Sequence, residues 1–148
     1  MEKLVLIENI ATSGAVVNTN IPCKEIESYF HNALEKSFQK LNFICTGNEK
    51  TGSSQNNIRI GGSFVVIDEG SRYLRYFVGV FGAGKGKVEV EIQVMDEQGR
   101  KQEFAVLIMQ GPPFLSNGLF GGNGHSIVKE ALKKAAHETA IRVSAICK

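Results

Sequence analysis

The chain has 148 residues, 43% hydrophobic and 22% charged, with a formal net charge of +2. That length fits one domain with a sizeable core, and the composition is that of an ordinary globular protein. So small a net charge argues against a nucleic-acid partner, and no apolar run approaches the roughly 20 residues of a transmembrane helix.

In chain order, KLVLIENI (3–10) reads as a first strand, and ATSGAVVNTNIP as a loop or weak edge segment. Pro22 stands where the first turn of a helix tolerates it. From Lys24 to about Leu41 the apolar residues Ile26, Phe30, Leu34, Phe38 and Leu41 recur at helical spacing, with charged and polar residues between them. This predicts an amphipathic helix lying on an apolar surface. The segment 47–57 is polar and glycine-containing, a loop.

The period then changes to two. IRIGGSFVVI (58–67), YLRYFVGV (73–80), KVEVEIQV (87–94) and QEFAVLIM (102–109) read as strands. In the third, Val88, Val90, Ile92 and Val94 face one way and Glu89, Glu91 and Gln93 the other, which predicts one wet face. Such a strand suits a sheet edge, where its glutamates would discourage unwanted pairing. MDEQGRK (95–101) is a hairpin connection, with Gly99 suited to a left-handed position. EFAVLIM is apolar on both faces, which predicts a central strand. A second glycine-rich loop, 111–124, presents Phe114, Leu115, Leu119 and Phe120. A last helix is expected from Ser126, as its cap, to Ile146, with Val128, Leu132, Ala135, Thr139, Val143 and Ile146 facing inward.

The order β-α-β-β-β-β-α, with hairpins between successive strands, predicts an α+β fold. It is a two-layer sandwich: a mainly antiparallel sheet of about five strands with two helices on one face. One domain spans 1–148. The place of the first strand in the sheet is not readable.

Little in the sequence announces chemistry. GVFGAGK (79–85) satisfies GxxxxGK, but Gly86 stands where Ser or Thr would reach magnesium, and the next residues have a strand period. A phosphate loop needs that hydroxyl and a helix opening behind it. The glycines are better read as a tight connection between strands, with Gly82, Gly84, Lys85 and Gly86 as a looser anion- or small-ligand-binding alternative. His31, His125 and His137 and the three cysteines show no metal-ligand spacing, so no metal or other cofactor is expected. The cysteines read as free and partly buried, although Cys23 and Cys45 are candidates for pairing in an oxidising compartment. No GxSxG is present, and Glu89 and Glu91, roughly 7 Å apart on one strand face, read as a solvated pair facing Arg100 or Lys101 across the sheet. RYLRYF (72–77) interleaves arginine and tyrosine as base-stacking surfaces do, but it reads equally well as one strand. The reading is of a non-catalytic domain that binds a protein partner or itself, with Phe114, Leu119 and Phe120 as contact residues.

A set of motifs resembles a known family. Asp68, Glu69, Gly70, Ser71 and Arg72 form a DEGSR turn. Arg75, Val78 and Gly79 follow in an apolar strand; Gly82, Ala83, Gly84 and Lys85 form a glycine loop. Asp96 and Gly99 mark the hairpin, and Gly118, Phe120, Gly121 and Gly122 a later loop. Together they resemble the bacterial DUF4410 family, a domain of unknown function found mostly in predicted envelope lipoproteins. The resemblance covers roughly residues 60–148, and the first helix by shape. It implies an envelope or periplasmic setting and no assigned activity. The signal peptide and lipidation cysteine common in that family are not read in MEKLVLIENI or around Cys23, so a cytoplasmic location is also compatible with the sequence. Val80 and Phe81 lengthen the turn before the glycine loop.

Overall fold

The computed structural model describes residues 3–46, 57–70, 86–96, 98–110 and 124–147. In chain order these form β1 (Lys3–Ile7), β2 (Val16–Asn18), α1 (Cys23–Lys40), β3 (Phe43–Thr46), β4 (Asn57–Asp68), β5 (Gly86–Met95), β6 (Lys101–Gln110) and α2 (Gly124–Ile146). The expected strand at 73–80 lies outside the described residues.

The sheet order is β3-β1-β4-β5-β6, with β2 also paired to β4. It is mixed: β1 is parallel to both β3 and β4, whereas β4–β5 and β5–β6 are antiparallel. The first strand is therefore interior. β1 and β2 share one lane beside β4, Leu4 opposite Asn57 and Val16 opposite Val66, with a bridge from Ala11 to Ser63 between them. The weak edge segment of the sequence is thus the second half of an interrupted strand. Its loop is tied to α1 by the Glu27 carboxylate, which accepts hydrogen bonds from Thr12 N (3.0 Å) and Thr12 Oγ1 (2.7 Å).

The helix α1 begins on Pro22, whose carbonyl accepts from the backbone N–H groups of Glu25 and Ile26. It ends where Asn42 takes φ 66°, the left-handed conformation asparagine accepts after glycine. Ile26, Phe30, Leu34 and Phe38 are buried as the spacing predicts, and Leu41 partly. Phe30 meets Phe64 of β4 edge-on, ring centroids 5.1 Å apart, and Phe38 meets Phe43 at 5.5 Å. The helix α2 starts at Gly124, so Ser126 lies within its first turn and is not its cap. Its buried stripe is wider than the sequence suggested. Ile127, Ala131, Ala136 and Ala140 join Val128, Leu132, Ala135, Thr139 and Val143, while Ile146 is only half-buried. The buried Thr139 hydroxyl donates to Ala135 O at 2.7 Å, so its polarity is satisfied within the helix.

Both helices pack on the sheet face formed by Val5, Ile7, Ile58, Ile60, Phe64, Ile67, Val88, Val90, Ile92, Val94 and Val106. α1 lies over β1 and β3, and α2 over β5 and β6. In β4, Val65 is an extra residue in the ladder to β5, so Phe64 and Ile67 both reach the core. No described helix reaches the length and apolarity needed to cross a membrane.

Two expectations about the strands are corrected. β5 is not an edge but lies between β4 and β6. β6, expected to be central, closes the described sheet on one side. Its apolar residues on the second face are exposed rather than buried: Leu107 is 51% and Met109 55% accessible.

Candidate interaction surface

The helix-free face of the sheet is set by register. Core residues Val88, Val90, Ile92 and Val94 put Lys87, Glu89, Glu91 and Gln93 on the opposite face, because side chains alternate along a strand. Across the ladders this gives rows. Val16, Val66, Glu89 and Leu107 form one; Asn18, Asp68, Lys87 and Met109 the next; Ala11, Ser63, Glu91 and Ala105 lie on the other side. Val16 is 69% accessible. The surface therefore carries exposed Val16, Leu107 and Met109 and half-buried Val66, with Glu89 and Lys87 of β5 between the two sides. Ile44 of β3 adds a further exposed apolar group, 41% accessible. Glu89 and Glu91 face Leu107 and Ala105, not Arg100 or Lys101, which corrects the expected cross-strand pairing.

The end of the face nearest β2 is braced. Asn18 Nδ2 donates to Asp68 Oδ1 at 2.8 Å, Gly70 N donates to the same oxygen, and Thr19 Oγ1 donates to Glu69 Oε2 at 2.9 Å. The turn read at Gly70 is present, with φ 79°. At the other end the β5–β6 hairpin closes as expected. Asp96 Oδ1 accepts from the backbone N–H groups of Gln98 and Arg100, Oδ2 from Arg100 Nε at 3.0 Å, and Gly99 takes φ 81°. These hydrogen bonds, the backbone N–H of Arg100 foremost, hold the Asp96 carboxyl below its ordinary range.

Among the described residues the outer side of β6 is partly closed by α2. Arg142 Nη1 donates to Ala105 O at 3.0 Å, its guanidinium stands 5.5 Å from the Phe104 ring, and its Nε pairs with Glu138 at 3.1 Å. The exposed residues of α2 are Lys133, Lys134, His137, Ile141, Arg142 and Ala145, with the half-exposed Glu130 and Glu138 beside them. Between the helices and β6 lies a shallow cleft of about 380 Å³ whose lining includes Lys40, Ile108, Lys133 and His137.

Among the sites expected from the sequence, Gly82, Gly84, Lys85, Phe114, Leu119 and Phe120 lie outside the described residues. Gly86 is the first residue of β5, opposite Gln110. The segment after Lys85 is thus a strand, as its period indicated, and no helix begins there. His31 pairs with Glu35 on the surface of α1 at 3.0 Å, and His137 is exposed on α2. Among the described residues no three of His, Cys, Asp and Glu gather as a metal site. None of the three cysteines is in a disulfide; Cys23 is exposed, Cys45 and Cys147 half-buried. Burial, then the nearby Glu35 charge, pushes the Cys45 thiol up to about 11, so it is protonated at neutral pH and a poor nucleophile.

The sequence reading missed the residues that make this surface, Leu107 and Met109 above all. A signal for them is present. The hairpin fixed by Asp96 and Gly99 sets Met95 opposite Lys101, and that register carries Ala105, Leu107 and Met109 opposite Glu91, Glu89 and Lys87, on the wet face.

A two-layer α+β domain with both described helices on one sheet face is the class this architecture defines. The chain belongs to the DUF4410 family, described as a domain of unknown function, whose model matches residues 22–115. The match takes in α1, which the motifs reached only by shape, and stops before α2. No curated protein matches the chain. Among solved structures it is similar to the hypothetical protein CT253 from Chlamydia trachomatis, with a TM-score of 0.54 at 8% identity over 97% of this chain and 96% of that one. The PelC dodecamer from Paraburkholderia phytofirmans gives 0.47 at 18% identity, over 92% and 87%. A minor lipoprotein from Acinetobacter baumannii gives 0.44 at 6%, over 97% and 93%. The Chlamydia trachomatis structure shares the fold with this chain; at such identity the likeness extends no further.

Proposed function

We propose that this is a non-catalytic interaction or assembly domain of the bacterial envelope whose helix-free sheet face docks a protein surface. The observation that carries this reading is the exposure of Val16, Leu107 and Met109 on one face of a regular, braced sheet. Exposed large apolar side chains gathered on one face mark association surfaces, whereas singly scattered ones do not. An antiparallel sheet tolerates a wet, polar face; on this one Val16, Leu107 and Met109 are exposed apolar groups among Glu89, Glu91 and Lys87. The envelope setting is supported by membership of DUF4410.

The test uses the full chain in bacterial envelope fractions. A photo-reactive residue is placed at Leu107 or Met109, and in a control at Lys36, exposed on α1. Discrete cross-linked products from 107 and 109 that are absent from 36 are expected. Equal or no cross-linking from the three positions would overturn the reading.

A further inference from the structure

The two exposed surfaces of the sandwich differ in charge and match in spacing. On α2, Lys133, His137 and Ile141 recur every fourth residue, so they form a stripe roughly 12 Å long at 1.5 Å rise per residue. On the open face of β6, Glu103, Ala105 and Leu107 recur every second residue and span roughly 13–14 Å. Laid along each other, the two stripes set Lys133 against Glu103, His137 against the small Ala105, and Ile141 against Leu107. Lys134 flanks the helix stripe, and Glu91, exposed on β5 beside Ala105, flanks the sheet stripe. Ile141 is 43% accessible, an apolar residue on a helix surface where Lys133, Lys134 and Arg142 outnumber Glu130 and Glu138. No copy satisfies itself this way, because α2 lies across the sheet from its own open face.

We infer that the occupant of the open sheet face is α2 of a second copy of this chain, docked head to tail. This deepens the reading above and rests on it. The contact lays a helix over Leu107 and so buries an apolar group that the helix-free face leaves exposed. Its two sides are different surfaces, so it repeats: each copy presents the β5–β6 part of its sheet face on one side and α2 on the other. Such a contact generates a closed ring or an open filament, according to the rotation it imposes. Its electrostatic part is exposed and weakens with salt, as the screening length falls from about 10 Å at 0.1 M to 3 Å at 1 M.

Sedimentation of the full chain tests this at about 50 mM salt. Wild type is expected to self-associate and to dissociate as salt rises. Reversing the helix side with Lys133→Glu and Lys134→Glu, or the sheet side with Glu91→Lys and Glu103→Lys, places like charges together. Each double variant is expected to associate at least about tenfold more weakly. An equimolar mixture of the two double variants pairs a basic sheet with an acidic helix, so association is expected to return. Thermal melts check that each variant folds; Ile141→Ser, at an exposed position, replaces a helix variant that does not. Wild type that stays monomeric at about 100 µM would overturn the inference, as would a folded helix variant that associates like wild type. A third variant, Leu107→Glu with Met109→Glu, separates the two readings. Loss of association in it but not in the helix variant would leave the sheet face as a docking surface and sink α2 as its occupant. Association unchanged in it would sink the sheet face itself.

Discussion

Gly62→Ala is expected to damage the fold out of proportion to one methyl group. Gly62 sits in the interior strand β4, opposite Ile92 of β5, with φ +151°. A Cβ built there stands 1.9 Å from the carbonyl oxygen of Glu91, 3.0 Å from its carbon and 3.2 Å from Ile92 Cα. All three are backbone atoms of the neighbouring strand, so no side-chain rotation relieves the contact. The strands must separate by more than an ångström, or the residue must abandon its conformation; either course disturbs the ladder on both sides. A non-glycine residue at such φ costs about 1–3 kcal/mol, and each ladder hydrogen bond lost costs a further 0.5–1.5 kcal/mol or so. The sum is on the order of 3–5 kcal/mol against a total stability of roughly 5–15 kcal/mol. In a chain of this size each kcal/mol lowers the melting temperature by roughly 2–4 °C, so a fall of about 10–15 °C is expected, with a matching shift of the urea midpoint. Two controls isolate the cause. At Gly61 the Cβ meets only the Glu8 carboxylate tip at 3.0 Å, which swings aside, and at Gly14 it meets nothing within 4 Å. Both alanine variants are expected to stay within about 1 kcal/mol of wild type. A Gly62→Ala protein melting within about 2 °C of wild type would refute the close approach of the two backbones.

Three further outcomes are expected. Glu27 is held below its ordinary value of 4.5, chiefly by the Thr12 hydroxyl, so its contribution to stability is present above that value and is lost as pH falls through the lower folded one. The melting temperature of wild type should therefore fall more steeply below pH 4.5 than that of Glu27→Gln; parallel curves would remove Glu27 as the latch between the β1–β2 loop and α1. Arg142→Ala should cost little stability, about 1 kcal/mol or less, yet raise the rate of thioflavin-positive aggregation by freeing the Ala105 carbonyl on the exposed edge of β6. An unchanged rate would mean the edge is protected by other means. Calorimetric titration of ATP with magnesium should give no binding heat in wild type or Lys85→Ala, because a strand and not a helix begins at Gly86. Micromolar binding abolished by the mutation would reinstate the phosphate loop.

How far the fold was legible follows from what kind of interaction fixes each element. α1 and β5 announce themselves because one buried side imposes a period on the sequence, 3.6 for Ile26–Phe38 and two for Val88–Val94. The β5–β6 hairpin is legible because Asp96 and Gly99 do local work in the turn. β2 and β3 are three and four residues long, too short to show a period, and their parallel pairing to β4 and β1 leaves no local signature. The alanines of α2 were passed over because alanine reads as neutral in a pattern, yet Ala131, Ala135, Ala136 and Ala140 are buried. The surface was the least legible. An apolar residue signals burial without naming what buries it, so Leu107 and Met109 made β6 read as an interior strand. Only the register across the hairpin shows that they stand among glutamates.

The position of β1 has a bearing on how the chain reaches this state. The first strand of the sequence is the one that joins β3 to the rest of the sheet, and both of its partners come later, beyond α1. Until β3 and β4 exist, β1 has unpaired backbone on both sides. The β4–β5–β6 antiparallel portion needs no such distant partner and can close on its own. Loop-closure entropy must be met before parallel, sequence-distant contacts form. The expected course is therefore a late docking of β1 on β4, with β3 completing the sheet on its far side. A chain halted before that step would leave the long strand β4 as an open sheet edge, a template on which the strand of another molecule pairs.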